Sequence, residues 1–201
     1  MVESAQEPRP LPCPITPFDG KSPQYDETVF IDPSARLMGD VRLGPEVSIW
    51  PFVLLRADSN RITVGERSAL LDHVLVESPR DHAVLIERSV LISHGAILHG
   101  CVVREGAIVG IGAIVLDGAE VGRGAIVGSG SVVPPGMKIP ERSLVLGIPG
   151  KVVRSLSDEE VERSKEQLQE SYEKSRRYLE IMSGVRTPEG VKKLESGQKN
   201  I

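Results

Sequence analysis

The run Val103-Arg104-Glu105-Gly106-Ala107-Ile108-Val109-Gly110-Ile111-Gly112-Ala113-Ile114-Val115-Leu116-Asp117-Gly118-Ala119-Glu120-Val121 decides the fold, because one pattern recurs in it every six residues. An aliphatic anchor stands at Val103, Val109, Val115 and Val121, and a small residue follows four places after each, at Ala107, Ala113, Ala119 and Ala125. Towards the C-terminus the phase holds through Val127, Val133, Ile139 and Val145. Towards the N-terminus it returns, after a single step of five, at Leu98, Ile92 and Ile86, then at Val76, Leu70 and Val64, then at Leu55, Ile49, Leu43, Leu37 and Ile31. Glycine often follows the anchor directly (Gly44, Gly65, Gly110, Gly122, Gly128), where a tight corner needs a residue without a Cβ.

A six-residue period cannot sit on one face of a helix with about 3.6 residues per turn. It suits a short strand followed by a corner, three such units closing one triangular coil. Anchors of successive coils then stack about 4.8 Å apart into an aliphatic column, and the strand ladders satisfy the peptide groups. The expected fold is mainly β: it resembles the left-handed parallel β-helix of hexapeptide repeats. Only 3% aromatic residues beside 20 glycines agree with a core filled by stacked aliphatics.

Two interruptions carry extra residues, around Asp58-Ser59-Asn60-Arg61 and around Ser78-Pro79-Arg80-Asp81-His82, and both are expected to leave coil corners as loops. The predicted organisation is an extended, proline-rich arm over residues 1–25, a β-helix over 26–154, a C-terminal α-helix over 155–184 and a flexible tail over 185–201. Ser157 and Glu160 read as a capping box for a helix from about Asp158 to Met182, with Val161, Leu168, Tyr172, Leu179 and Met182 as its apolar stripe. Trp50 is expected against that helix or a subunit interface.

The 201 residues carry a net charge of −4 that is mixed along the chain, which points away from nucleic acid and anionic membranes. No apolar run approaches the roughly 20 residues needed to span a bilayer. The N-terminal stretch has neither the apolar core of a signal peptide nor the basic character of a transit peptide, and Cys13 and Cys101 make no disulfide framework. A cytoplasmic protein is the expectation.

The chemistry-bearing stretch is Ser93-His94-Gly95-Ala96-Ile97-Leu98-His99-Gly100-Cys101, with two of the four histidines. Imidazole is the commonest metal ligand and a ready proton carrier, although histidines also serve as plain turn residues in repeat folds. Counting one coil across the second interruption puts Glu77 below His99 and Asp72 below His94; counting across the first puts Arg56 below Glu77. His99 lies one past its anchor and His94 two past, so they occupy different corners. A metal shared by both requires adjacent subunits, and three such corners around an axis imply a cyclic homotrimer.

From Val47 to Arg154 the chain resembles the γ-class carbonic anhydrase family. Arg56-Ala57-Asp58 matches its Arg-Gly-Asp stretch, Leu71-Asp72 its Gln-Asp, His94 to Cys101 its paired-histidine motif, and Gly147-Ile148-Pro149-Gly150-Lys151 its exit segment. The resemblance implies a trimer that binds zinc, iron or cobalt (Zn2+, Fe2+ or Co2+) at subunit interfaces and interconverts CO2 and bicarbonate. It places the metal on His94, His99 and the position of Glu77, where the family has a third histidine, and the catalytic surroundings on Arg56, Asp58 and Asp72. The chain also departs from the family at Leu71, in place of the glutamine, and at Ser59, where some active members carry an acid. Glu77 has two readings: third ligand at about 2.0 to 2.2 Å, or closed partner of Arg56. His82 is a loop residue or a substitute ligand, and His73 points outward without a role. The competing readings are a hexapeptide-repeat acyltransferase or coenzyme A thioester enzyme using a histidine as general base, and a non-catalytic trimeric scaffold.

Overall fold

The computed structural model describes residues 14–182; the tail expected over 185–201 and the start of the arm lie outside them. The chain winds as a triangular parallel β-helix closed by one α-helix, Asp158–Met182. Two faces join in an eleven-stranded sheet, because strands Arg36–Leu43 and Leu54–Val64 run round a corner from one face to the next, and the third face is an eight-stranded sheet.

Every anchor lies in register with its equivalents. On one face Leu37, Leu55, Val76, Leu98, Val115 and Val133 are successive ladder partners. On the next, Leu43, Val64, Ile86, Val103, Val121 and Ile139 follow one another. Ile31, Ile49, Leu70, Ile92, Val109, Val127 and Val145 form the third column. With the small residues between them, all of these but the partly buried Ile31 at the end of the third column are almost wholly buried, so the interior is one continuous aliphatic cluster.

The structure corrects two expectations. Only the second interruption is a loop; the first is absorbed in the strand Leu54–Val64, whose register jumps so that Gly39 pairs with Ala57 and Val41 with Ile62. The strand continues because Arg61 reaches back to Asp40 at 3.1 Å across the bulge, where Asp40 is 8% exposed. The bulge is also tied to the second loop, since Ser78 Oγ donates to Asn60 C=O and Asn60 Nδ2 to Arg80 C=O. The glycines directly after anchors serve close approach: a Cβ at Gly110 would lie 2.6 Å from the backbone nitrogen of Ser129 in the next coil. Left-handed backbone falls elsewhere, three residues past most anchors, where Glu46, Phe52, Arg67, His73, Ser89 and Arg142 adopt it as well as glycine.

The helix begins as its capping box predicts, with Glu160 N–H donating to Ser157 Oγ at 3.2 Å and Ser157 N–H to Glu160 Oε2 at 3.0 Å. It docks through Tyr178, which packs edge-on to Trp50 with ring centroids 5.4 Å apart, and through Tyr172, whose hydroxyl donates to Glu46. Leu168 covers a satellite cluster of Ala69, Leu91 and Ile108, which Leu71 also joins. The docked face is centred on the small buried residues Ser164 and Ser175, whereas Met182, expected in the stripe, is 47% exposed.

Candidate functional site

The constant coil length brings Arg56, Glu77 and His99 into one row, because Leu54–Val64, Leu75–Glu77 and Ile97–His99 are adjacent parallel strands with these residues as ladder partners. Arg56 Nη2 donates to Glu77 Oε1, and Arg56 Nε lies 3.5 Å from Asp58 Oδ2. The other oxygen of Glu77, Oε2, faces His99 Nε2 at 4.0 Å. On its far side His99 Nδ1 lies 2.6 Å from Asp117 Oδ1. The row therefore alternates carboxylate, guanidinium, carboxylate, imidazole, carboxylate. One guanidinium among three carboxylates leaves the corner net negative, which offsets the repulsion Arg56 alone would exert on a cation.

His94 stands on a different corner. Its Nε2 lies 3.4 Å from Asp72 Oδ2, one coil away, and both side chains are partly exposed. Backbone bonds ladder this corner, with Gly95 N–H donating to Asp72 C=O, Gly112 N–H to His94 C=O and Gly130 N–H to Ile111 C=O. The same ladder carries the exposed apolar side chains of Phe52 and Ile111, and Phe52 stacks on His73 at 5.0 Å. His82, on the loop, lies over Gly100 and Gly118.

Among the described residues of one chain, no three His, Cys, Asp or Glu side chains converge to hold a metal ion. Two donors do face each other as part of such a set. The Asp117 contact turns His99 Nε2 towards Glu77 Oε2, and one imidazole with one carboxylate suits zinc or iron. Cys101 is excluded as a ligand: it is wholly buried, and burial pushes its thiol up to about 12. The groove of about 400 Å³ between the helix and a coil corner, walled by Arg67, Arg123, Leu168 and Tyr172, includes none of the candidate residues.

Asp117 escapes the sequence reading although a signal exists. The step from Leu98 to Val103 is five residues instead of six, so Leu98 pairs with Val115 and the next coil's corner residue is drawn over His99 and Gly100. Counting one shortened coil upward from Gly100 lands on Asp117.

No protein-family profile matches the chain. It is 44% identical over 140 residues to a "Probable carbonic anhydrase" of Methanocaldococcus jannaschii, an alignment that covers 70% of this chain and 88% of that protein. It is 40% identical over 150 residues to "Gamma carbonic anhydrase 2, mitochondrial" of Arabidopsis thaliana, covering 72% of this chain but only 54% of the plant protein. A third relative, the carnitine operon protein CaiE of Escherichia coli, is 37% identical over 144 residues, covering 72% and 74%. Among solved structures, a Bacillus cereus protein described as a putative acetyltransferase superposes with a TM-score of 0.82 at 34% identity, covering 83% of this chain and 97% of the other. An Anaplasma phagocytophilum hexapeptide transferase family protein does so with a TM-score of 0.79 at 34% identity, covering 82% and 97%. With its coils in register, its paired histidines and these relatives, the chain belongs to the γ-carbonic anhydrase-like family of hexapeptide-repeat proteins.

Proposed function

We propose that the protein is a γ-carbonic anhydrase-like metalloprotein whose site is completed between copies of the chain in a homotrimer. The observation that carries this reading is the pairing of His99 Nε2 with Glu77 Oε2 across 4.0 Å on one corner, while His94 sits on another. His99, Glu77 and a neighbouring copy's His94 would hold zinc, iron or cobalt, which when bound activates water as a nucleophile towards carbon dioxide. Arg56 restrains Glu77 by holding its first oxygen, so the second stays aimed at His99. Asp58 steadies Arg56 from the other side, and Asp72 orients His94. The exposed Phe52 and Ile111 beside His94 supply apolar surface that a neighbouring copy would cover. Asp81 and His82, on the loop beside the His99 corner, are the groups available to carry protons outward.

The test is metal analysis of protein purified without chelator, followed by zinc titration of wild type, His94→Ala and His99→Ala and stopped-flow measurement of carbon dioxide hydration. One ion per chain in the wild type, lost in both variants, is expected. A metal-free wild type that titrates like the variants removes the reading.

A second reading rests on the contact between Asp117 and His99, which orients an imidazole equally well as a general base for acyl transfer from a coenzyme A thioester. The transferase descriptions of the two superposing structures support it. Saturable binding of coenzyme A, with no metal required, distinguishes it.

A further inference from the structure

The coil that carries His99 is one residue short at its corner. From Val115 the chain takes Leu116, Asp117 and Gly118 before the next inward small residue, Ala119; from Leu98 it takes only His99 and Gly100 before the buried Cys101. The shortening leaves a notch that neighbouring coils fill. A Cβ built on Gly100 would lie 2.5 Å from Asp117 Oδ1, from the coil above, and 2.7 Å from His82 Cβ and 3.1 Å from Pro79 Cγ, from the loop below. Backbone bonds pin both sides of the notch, with Gly100 N–H donating to Glu77 C=O at 3.1 Å and Gly118 N–H to Gly100 C=O at 2.8 Å. Asp117 thereby reaches His99 Nδ1 at 2.6 Å.

An ionised carboxylate only accepts hydrogen bonds, so an imidazole nitrogen at this distance must carry the proton. In a neutral ring the lone pair then falls on Nε2. The 4.0 Å between Nε2 and Glu77 Oε2 is too long for a hydrogen bond and gives no opposing demand on that nitrogen. We propose that Asp117 is the positioning residue of the site: held over the shortened corner, it fixes His99 with its proton on Nδ1 and its lone pair on Nε2, facing Glu77. The tautomer assignment stands on the contact alone, and only its consequence for metal affinity rests on the proposed metal site.

The experiment compares the full-length wild type with Asp117→Asn and Asp117→Ala. Long-range proton–nitrogen NMR of the histidine rings, recorded at alkaline pH without metal and assigned with His99→Gln, reads the tautomer directly. Expected are Nδ1–H in the wild type, a mixture in Asp117→Asn, whose amide can donate as well as accept, and Nε2–H in Asp117→Ala. Unchanged melting of Asp117→Asn shows that the fold is kept. Zinc affinity should fall about 10- to 100-fold in Asp117→Ala, the usual effect of removing the group behind a ligating histidine. The same tautomer in all three proteins overturns the proposal. A tautomer that switches in a protein that never binds zinc sustains it and removes the metal site instead.

Discussion

Arg56 and Glu77 are ladder partners on adjacent coils, and the guanidinium holds only one of the two carboxylate oxygens, leaving the other facing His99 at 4.0 Å. The charge pair and the ligand reading of Glu77 are therefore compatible, since each uses a different oxygen. The pair is also open to solvent, with side chains 44% and 27% exposed. Its loss is accordingly a surface effect, below about 1 kcal/mol.

That sets the outcome for Glu77→His, which replaces the carboxylate by an imidazole at the same backbone position. Melting should shift little, because Arg56 keeps Asp58 as a partner and access to water. Zinc affinity should rise, because the new imidazole does not compete for Arg56 and suits zinc well. Calorimetric titration beside thermal melts checks both. A variant that melts far below wild type and still binds nothing would show a closed pair at Glu77.

Assembly is tested at the His94 corner. Light scattering on the wild type should give three times the chain mass of 21.8 kDa. Ile111 is 58% exposed and neighbours His94 along the corner ladder, so Ile111→Asp should dissociate the trimer without unfolding the chain. It should also abolish zinc binding at micromolar concentration, although every proposed ligand is intact. A monomeric wild type would leave His94 with no route to Glu77 and His99.

The helix cap supplies a pH prediction. Arg154 grips Glu160 with two bonds of 2.7 and 2.8 Å, and Ser157 N–H adds a third, holding the Glu160 carboxyl down at about 2 from its ordinary 4.5. A carboxyl whose pKa is depressed by folding contributes stability that is complete above the unfolded value and is lost as pH falls towards the folded one. Helix docking should weaken progressively between pH 4.5 and about 2. Arg154→Met should move that loss to higher pH. Tyr178 fluorescence against Trp50, followed through an acid titration of both proteins, reads the docking.

Columns and ladder partners were legible because a parallel β-helix repeats a nearly constant coil length, so subtraction alone places Glu77 under His99 and Asp72 beside His94. The cap was legible because it is local in sequence. Arg154 was not, since it reaches Glu160 from the antiparallel return strand Lys151–Ser155, whose course is set by tertiary packing. The first interruption misled for a related reason: extra residues signal a departure from the coil, but whether they loop out or bulge depends on a partner such as Asp40 twenty-one positions from Arg61. Asp117 was hidden by the opposite irregularity, a missing residue, which moves a corner side chain without leaving any inserted motif to notice.

That missing residue makes Gly100 the position where a single methyl group tells most. Gly100 and Gly112 share left-handed backbone, with φ of +54° and +64°. Alanine should therefore cost each about 1 to 2 kcal/mol in backbone strain, and no more at Gly112, where a Cβ meets nothing within 4 Å. At Gly100 the same Cβ lies inside contact distance of Asp117 Oδ1 and of His82 and Pro79 on the loop, so both the carboxylate and the loop must shift. The loop, tied down by the bond from Ser78 Oγ to Asn60 C=O at 2.7 Å, gives way only at a cost in stability, whereas the Asp117 carboxylate, 40% exposed, rotates aside by breaking its one contact with His99. Gly100→Ala should therefore swing Asp117 off His99, reproducing the tautomer change of Asp117→Ala while losing more stability in urea than Gly112→Ala. If the two alanine variants unfold alike and His99 keeps its proton on Nδ1, the notch does not hold Asp117, and the shortened corner is a packing detail of the coil.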